Sequence, residues 1–229
     1  MQRLGLTGNQ LKLIALITMT VDHVGMVILP QYMILRLIGR LSFPIYAYMI
    51  GEGCRHTSNM SKYFGRMAIL AAVYQAVYYF ALGSLYQGIL VTFSLSVAMV
   101  ALVRLAEEKK KAILWVAVAA AVVGVFGMTE VLPRVWSGSD FDVDYGFFGV
   151  MLPVAVYLGK NKTQKLSMAA ICLYLMGRIL PQIQMFALLA LPLLALYNGQ
   201  RGEWQMKNLF YIYYPAHLVL LHLLASVIA

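Results

Sequence analysis

In 229 residues the chain is 62% hydrophobic and 12% charged, with a mean hydropathy of +0.76, whereas soluble domains carry about 25% charged residues. No water-soluble core of this size absorbs so much apolar surface, so the chain reads as an integral membrane protein of the all-α polytopic class. The net charge of +9 does not point to nucleic acid, because Lys and Arg fall mostly in short connections rather than on one face.

A spanning helix takes about 20 mostly apolar residues, and nine stretches suit that length: Leu11–Leu29, Tyr32–Gly51, Tyr63–Leu82, Ile89–Leu105, Ala112–Met128, Tyr145–Gly159, Leu166–Leu180, Ile183–Tyr197 and Leu209–Ile228. The sixth and eighth are short. Asp22 and His23 interrupt the first run and no small-residue cleavage site follows, so it is expected to be a mature transmembrane helix rather than a signal peptide. Basic residues occupy every even-to-odd connection: Arg55, Lys62 and Arg66; Arg104 and Lys109 to Lys111; Lys160, Lys162 and Lys165; Arg201 and Lys207. The alternate connections are neutral or, over Thr129–Asp144, acidic. By the positive-inside rule this predicts a cytoplasmic N-terminus and an outside C-terminus. No repeat or linker divides the sequence, which reads as one membrane domain over residues 1–229 with Thr129–Asp144 as a solvated outer loop. Cys54 and Cys172 form no disulfide framework or zinc spacing and read as structural thiols.

Asp22 and His23 lie about eleven residues into the first helix, roughly 16 Å along at 1.5 Å per residue and near the bilayer midplane. A charge there costs about 2.5–3.5 kcal/mol on insertion scales and must meet a polar cavity or a partner. Neighbouring residues point about 100° apart on a helix, so the two need not touch. Arg36 and Arg40 face one way on the second helix, at a depth similar to Asp22, and Pro44 cannot donate to the Arg40 carbonyl, so a kink is expected there. Two guanidinium groups in a membrane call for anions: Asp22 as counterion, a ligand phosphate or carboxylate, or both.

Glu52, Arg55 and His56 continue the second helix to its cytoplasmic end, where Glu52 pairs with Arg55 or Arg66, or the group forms a mouth for an anionic ligand. The ninth helix carries His217 and His222 behind Tyr211, Tyr213, Tyr214 and Pro215, with Tyr213 one turn below His217. The two histidines diverge by about 140°, and nothing else in the sequence asks for haem. Gln75 sits among tyrosines of an interfacial belt, and Asn198 and Arg201 lie in a Tyr-Asn-Gly-Gln-Arg-Gly stretch that resembles a glycine-capped helix end.

Leu-Lys-Leu-Ile-Ala-Leu-Ile-Thr-Met-Thr-Val-Asp-His-Val-Gly (11–25), Leu-Arg-Leu-Ile-Gly-Arg-Leu-Ser-Phe-Pro-Ile-Tyr-Ala (35–47) and Gly-Glu-Gly-Cys-Arg-His-Thr (51–57) resemble the TraX family. So do Asp144-Tyr145-Gly146, the run from Phe186 to Pro192, Tyr197-Asn198-Gly199 and Tyr214-Pro215-Ala216-His217. The family takes its name from the membrane protein that N-acetylates the terminal amine of conjugative pilin. More distantly, His23 and the Gly-Arg-x-x-x-Pro of residues 39–44 resemble the type 3 membrane acyltransferases. The resemblance implies a multi-pass acyltransferase in a bacterial cytoplasmic (inner) membrane, drawing acetyl-CoA or another acyl-CoA from the cytoplasm. It implies His23 as catalytic base with Asp22 beside it, Arg36 and Arg40 on the acyl donor or the developing charge, and Glu52 and His56 on the cytoplasmic approach. Arg55, Gln75, Asn198, Arg201, Tyr213 and His217 complete the set of substrate-contacting candidates. It does not name the acceptor, which is open among a peptide amine, a sugar and a small molecule.

A second class fits the same residues: a proton-coupled secondary transporter using Asp22, His23, Arg36 and Arg40. The lack of a visible repeat and of paired broken helices weighs against it. A purely structural membrane partner leaves the buried charges without a purpose.

Overall fold

The computed structural model describes residues 4–203 and, after them, Tyr213, Ala216, His217, Leu220, Leu221, Leu223, Leu224 and Ser226. Over the described residues 4–203 there are ten α-helices: α1 Gly8–Val27, α2 Met33–Gly39, α3 Ser42–His56, α4 Met60–Leu82, α5 Ile89–Lys109, α6 Ala112–Phe126, α7 Leu132–Val135, α8 Gly146–Leu158, α9 Lys162–Ile179 and α10 Ala190–Ala195. Among the described residues the only β pairing is two isolated bridges, Leu6 with Tyr197 and Gln87 with Val143.

Among the described residues, five helices are long and apolar enough to cross a membrane: Gly8–Val27, Met33–His56, Met60–Leu82, Ile89–Lys109 and Ala112–Val135. They correspond to the first five predicted segments. The sixth and eighth are the shorter apolar helices Gly146–Leu158 and Gln182–Ala195. The seventh, α9, spans 18 residues but includes Lys162, Lys165 and Arg178. The predicted ninth segment, Leu209–Ile228, lies largely outside the described residues, as do Lys207, Tyr211, Tyr214, Pro215 and His222. The protein is an all-helical, multi-pass membrane protein.

The chain packs as two compact units, one of Met1–Met49 with Gly177–Ala229, the other of Ile50–Met176. Their boundaries fall inside α3 and α9. In the first unit, α1 opens with a capping box: Thr7 Oγ1 accepts from the Gln10 amide and Gln10 Oε1 accepts from the Thr7 amide. The next amides of that end, those of Gly8 and Asn9, donate to the Gln200 and Arg201 carbonyls at 2.7 and 2.9 Å. Residues 196–201 therefore clamp the α1 N-terminus, beyond the helix-end role read from their sequence, and Gly199 supplies the left-handed backbone (φ +79°) of that turn.

The predicted second segment is broken. Its first part ends at Gly39, Arg40 and Leu41 form i→i−3 bonds to Leu37 and Ile38 at 3.2 Å, and α3 begins at Ser42. Pro44 in the first turn of α3 has no N–H for the Arg40 carbonyl, so the kink takes the form of a two-residue interruption.

In the second unit, α4 is capped by Asn59 Oδ1 on the Lys62 amide and ends at left-handed Gly83. Helix α6 does not stop near Met128 but passes through a π-turn, Gly127–Val131, into α7. Glu130, expected on a solvated loop, is buried there, accepting from the Phe147 amide at the start of α8 (3.0 Å) and from Arg134 (3.2 Å). Helix α8 contains Pro153, and Ser96 Oγ from α5 donates to the Val150 carbonyl one turn before it. Cys54 and Cys172 are free and buried.

Candidate functional site

On α1, residues three and four apart share a face, and Asp22 and His23 turn to different neighbours. Asp22 faces α2. Arg40 Nη2 donates to both its carboxylate oxygens (2.6 and 2.7 Å), and Arg36 Nη1 donates to Oδ2 (2.8 Å) and to the Asp22 carbonyl (3.2 Å). Arg40 Nε also donates to the Arg36 carbonyl at 3.2 Å, across the end of α2. The carboxylate thus holds two guanidinium groups, one of them at the break before α3. Gly39 makes the approach feasible, because a Cβ there would lie 2.2 Å from Asp22. Gly25 does the same one turn later, where a Cβ would meet Leu35 at 2.7 Å.

Helix α1 begins at Gly8, so Asp22 lies about 21 Å along a helix of about 30 Å at 1.5 Å per residue. The expected midplane position moves toward the C-terminal end of α1.

His23 faces the C-terminal part of the chain. His217 Nε2 lies 2.8 Å from His23 Nδ1, and His217 Nδ1 lies 2.8 Å from the Tyr213 carbonyl. The Tyr213 ring stacks on His217 with centroids 5.0 Å apart and planes at 8°. One turn of α1 earlier, Tyr213 Oη is 2.7 Å from Thr20 Oγ1. The Thr20 proton is used on the Leu16 carbonyl (2.9 Å), so the phenol donates to the threonine. Two rungs result, Thr20 with Tyr213 and His23 with His217. Since both residue numbers rise together, the segment carrying Tyr213 and His217 runs in the same sense as α1.

In this first unit, then, six of the predicted site residues lie together: Asp22, His23, Arg36, Arg40, Tyr213 and His217. Asn198 does not join them; its side chain donates to the Gly5 carbonyl at 3.4 Å, and the Arg201 side chain is exposed with its carbonyl on α1. Thr20 and Gly39 belong to the arrangement and were not singled out by the sequence, although the spacing of Thr20 from His23 and the place of Gly39 beside Arg40 are visible in it.

The second unit holds the other predicted residues in separate roles. Glu52 is buried and pairs with Lys165 Nζ at 2.5 Å, with His56 Nε2 at 3.9 Å; neither Arg55 nor Arg66 is its partner. Arg55 Nη2 instead donates to the Tyr157 carbonyl and, at 2.6 Å, to the Gly159 carbonyl, satisfying orphan groups at the C-terminus of α8. Gln75 Nε2 donates to the Tyr86 carbonyl at 2.7 Å and ties α4 to the connection before α5. Outside the helices, burial and the Asp144 carboxylate push the Tyr86 phenol up, and bonds from Ser84 and from the Leu85 amide hold the Asp140 carboxyl below the usual carboxylate range. Among the described residues, no three His, Cys, Asp or Glu side chains are grouped to hold a metal ion.

Comparison with known proteins gives three findings. The family model described as "TraX protein" matches residues 7–225. The chain is 27% identical over 241 aligned residues to the probable fimbrial assembly protein FimC, serogroup H1, of Dichelobacter nodosus, covering 93% of each chain. A shorter match, 42% identical over 41 residues, covers 18% of this chain and 16% of the uncharacterized protein RP591 of Rickettsia prowazekii (strain Madrid E). No solved structure matches.

Proposed function

The chain belongs to the TraX family, and from that membership we propose that it is a membrane-embedded acyltransferase moving an acetyl or other short acyl group from cytoplasmic acyl-CoA to an amine or hydroxyl, with His23 as general base. The observation that carries this reading is the division of labour on α1: Asp22 fixes two arginines while His23, next in sequence, is oriented by a second imidazole.

The chemistry needs a base for the nucleophile, cationic donors for the oxyanion and cations for the CoA phosphates. His23 removes the proton of the acceptor N–H or O–H as its lone pair attacks the thioester carbonyl. The oxyanion of the tetrahedral intermediate takes hydrogen bonds from Arg36, which commits Nη1 to Asp22 and is the more exposed arginine of the pair (26% against 7% for the side chains). Collapse expels the CoA thiolate, which takes up a proton, and leaves an amide or ester. Attack is direct, within a ternary complex, because among the described residues no Ser or Cys is hydrogen-bonded to a histidine, and Ser84 meets the exposed carboxylate of Asp140. Within the second unit, the Arg55 guanidinium is engaged on α8, whereas Lys62 and Arg66 of α4 are exposed.

The name of the Dichelobacter relative refers to fimbrial assembly, so the N-terminal amine of a fimbrial subunit is the first acceptor to test. The protein resides in a bacterial cytoplasmic membrane with nine crossings, its N-terminus inside and its C-terminus outside. The basic even-to-odd connections support this orientation, and the shared direction of α1 and the His217 segment supports the count, because it requires an odd number of intervening crossings, here seven.

The test is acyl transfer from labelled acetyl-CoA by the purified protein in detergent. Turnover and CoA binding are expected, with turnover lost in a folded His23→Ala variant by at least about a hundredfold. A folded His23→Ala protein that turns over normally removes His23 as base, and solute flux in liposomes without CoA affinity replaces the enzyme by a carrier. A C-terminal reporter active only in the cytoplasm would overturn the topology.

A further inference from the structure

We propose that His217 is a positioning residue that fixes the tautomer of His23, placing the basic lone pair of His23 on Nε2. The inference rests on the reading of His23 as base, and for neutral imidazoles it follows from two hydrogen bonds, the first of which has only one possible direction. A carbonyl oxygen only accepts, so the 2.8 Å contact of His217 Nδ1 with the Tyr213 carbonyl puts the His217 proton on Nδ1. A neutral imidazole protonated at Nδ1 carries its lone pair on Nε2. That atom is 2.8 Å from His23 Nδ1, so His23 Nδ1 must donate. The lone pair of neutral His23 is then on Nε2, the nitrogen that takes the acceptor's proton.

His217 is held for this purpose. It is 5% exposed, its ring lies flat on Tyr213, and the Tyr213 phenol is anchored on Thr20. The i,i+4 spacing of Tyr213 and His217 lets one residue supply both the carbonyl that sets the tautomer and the ring that sets the plane. Among the described residues, the other ionisable groups here are Asp22 on α1, Arg36 on α2, Arg40 at the break before α3, and Tyr46 of α3, which interacts with Tyr213. Asp22 is the carboxylate that would ordinarily orient a catalytic histidine, but its oxygens accept from the two arginines. A second imidazole fills that role, and it adds no further charge to a span where each charge is costly.

The chain has four histidines, His23, His56, His217 and His222, so ¹⁵N-histidine-labelled protein in bilayers gives a spectrum that single substitutions assign. For the neutral form of His23 the expected result is a protonated Nδ1 and an unprotonated Nε2. In His217→Ala the proton moves to Nε2 in a large fraction of molecules, and kcat falls at least about tenfold while KM for acetyl-CoA stays within about twofold. In His217→Gln, Oε1 can accept from His23 Nδ1, and both the tautomer and most of kcat return. A purely structural role for His217 does not predict rescue with a restored tautomer. The proposal is overturned by a wild-type His23 carrying its proton on Nε2, or by a His23 spectrum unchanged in His217→Ala. Should His217→Ala fail to fold, the wild-type spectrum and His217→Gln still decide. The expected tautomer in a protein that transfers no acyl group supports the positioning role and removes the acyltransferase reading instead.

Discussion

Asp22 and Glu52 are both buried carboxylates, 9% and 6% exposed, yet they are satisfied in opposite ways. Asp22 accepts from two guanidinium groups only 14 and 18 residues away, within the α1–α2 hairpin. Glu52 accepts from one ammonium 113 residues away, and its second neighbour, His56, is exposed, 3.9 Å distant and charged only when protonated. A planar guanidinium held by two bonds fixes direction as well as charge, whereas an ammonium on a flexible stem supplies charge alone. The local cluster therefore defines a geometry, including the break at Arg40, and the long-range pair ties α3 to α9 within the second unit.

The comparison breaks first at Asp22. Replacing it by Ala takes the carboxylate away from two guanidinium groups and is expected to cost about 3–5 kcal/mol, read as lost yield and lowered melting temperature in detergent. Replacing Asp22, Arg36 and Arg40 together by apolar residues of similar size should recover much of that stability and no activity. Glu52→Gln removes one partner of a single pair and should cost less, about 1–3 kcal/mol. An equal or larger loss than for Asp22→Ala would show that the number of guanidinium partners is not what distinguishes the two sites.

Two glycine substitutions sharpen the same contrast. Gly39→Ala puts a Cβ 2.2 Å from Asp22 and should cost about 1–3 kcal/mol by overpacking while disturbing the Arg40 bonds. Gly65→Ala, in α4 of the second unit with nothing within 4 Å, should be neutral or stabilise by up to about 1 kcal/mol. The smallest effect concerns Asp140, exposed between α7 and α8. Its folded pKa is depressed by the Ser84 and Leu85 bonds, so its contribution is present above the unfolded value of about 3.9 and lost as pH falls through the lower folded value. Amide exchange at Leu85 should accelerate across that interval and be insensitive to pH near neutrality, after allowance for intrinsic exchange.

The sequence made the Asp22 cluster legible because hydrocarbon leaves an unpaired charge no cheap alternative, and it located the Pro44 interruption because proline lacks an N–H. What was not legible is instructive. His23 and His217 meet across 194 residues, and no spacing rule reports a contact of that separation. Lys165 reads as a topogenic charge, and its second use on Glu52 depends on packing within the Ile50–Met176 unit. Glu130 reads as a loop acid because the π-turn that extends α6 has no sequence signature of its own. Gly39 reads as one small residue among many until Asp22 is placed against it.

The long separation of the two histidines also bears on when the protein becomes competent. At roughly 5–20 residues per second, a ribosome takes about 10 to 40 s to travel from His23 to His217. During that interval the hairpin of α1 and α2 can close on its own ion pairs, while the Nδ1 of His23 has no imidazole to meet. A nascent chain that stops short of Tyr213 thus holds the residues of the Asp22 ion pairs but not the imidazole that the proposed tautomer of His23 depends on.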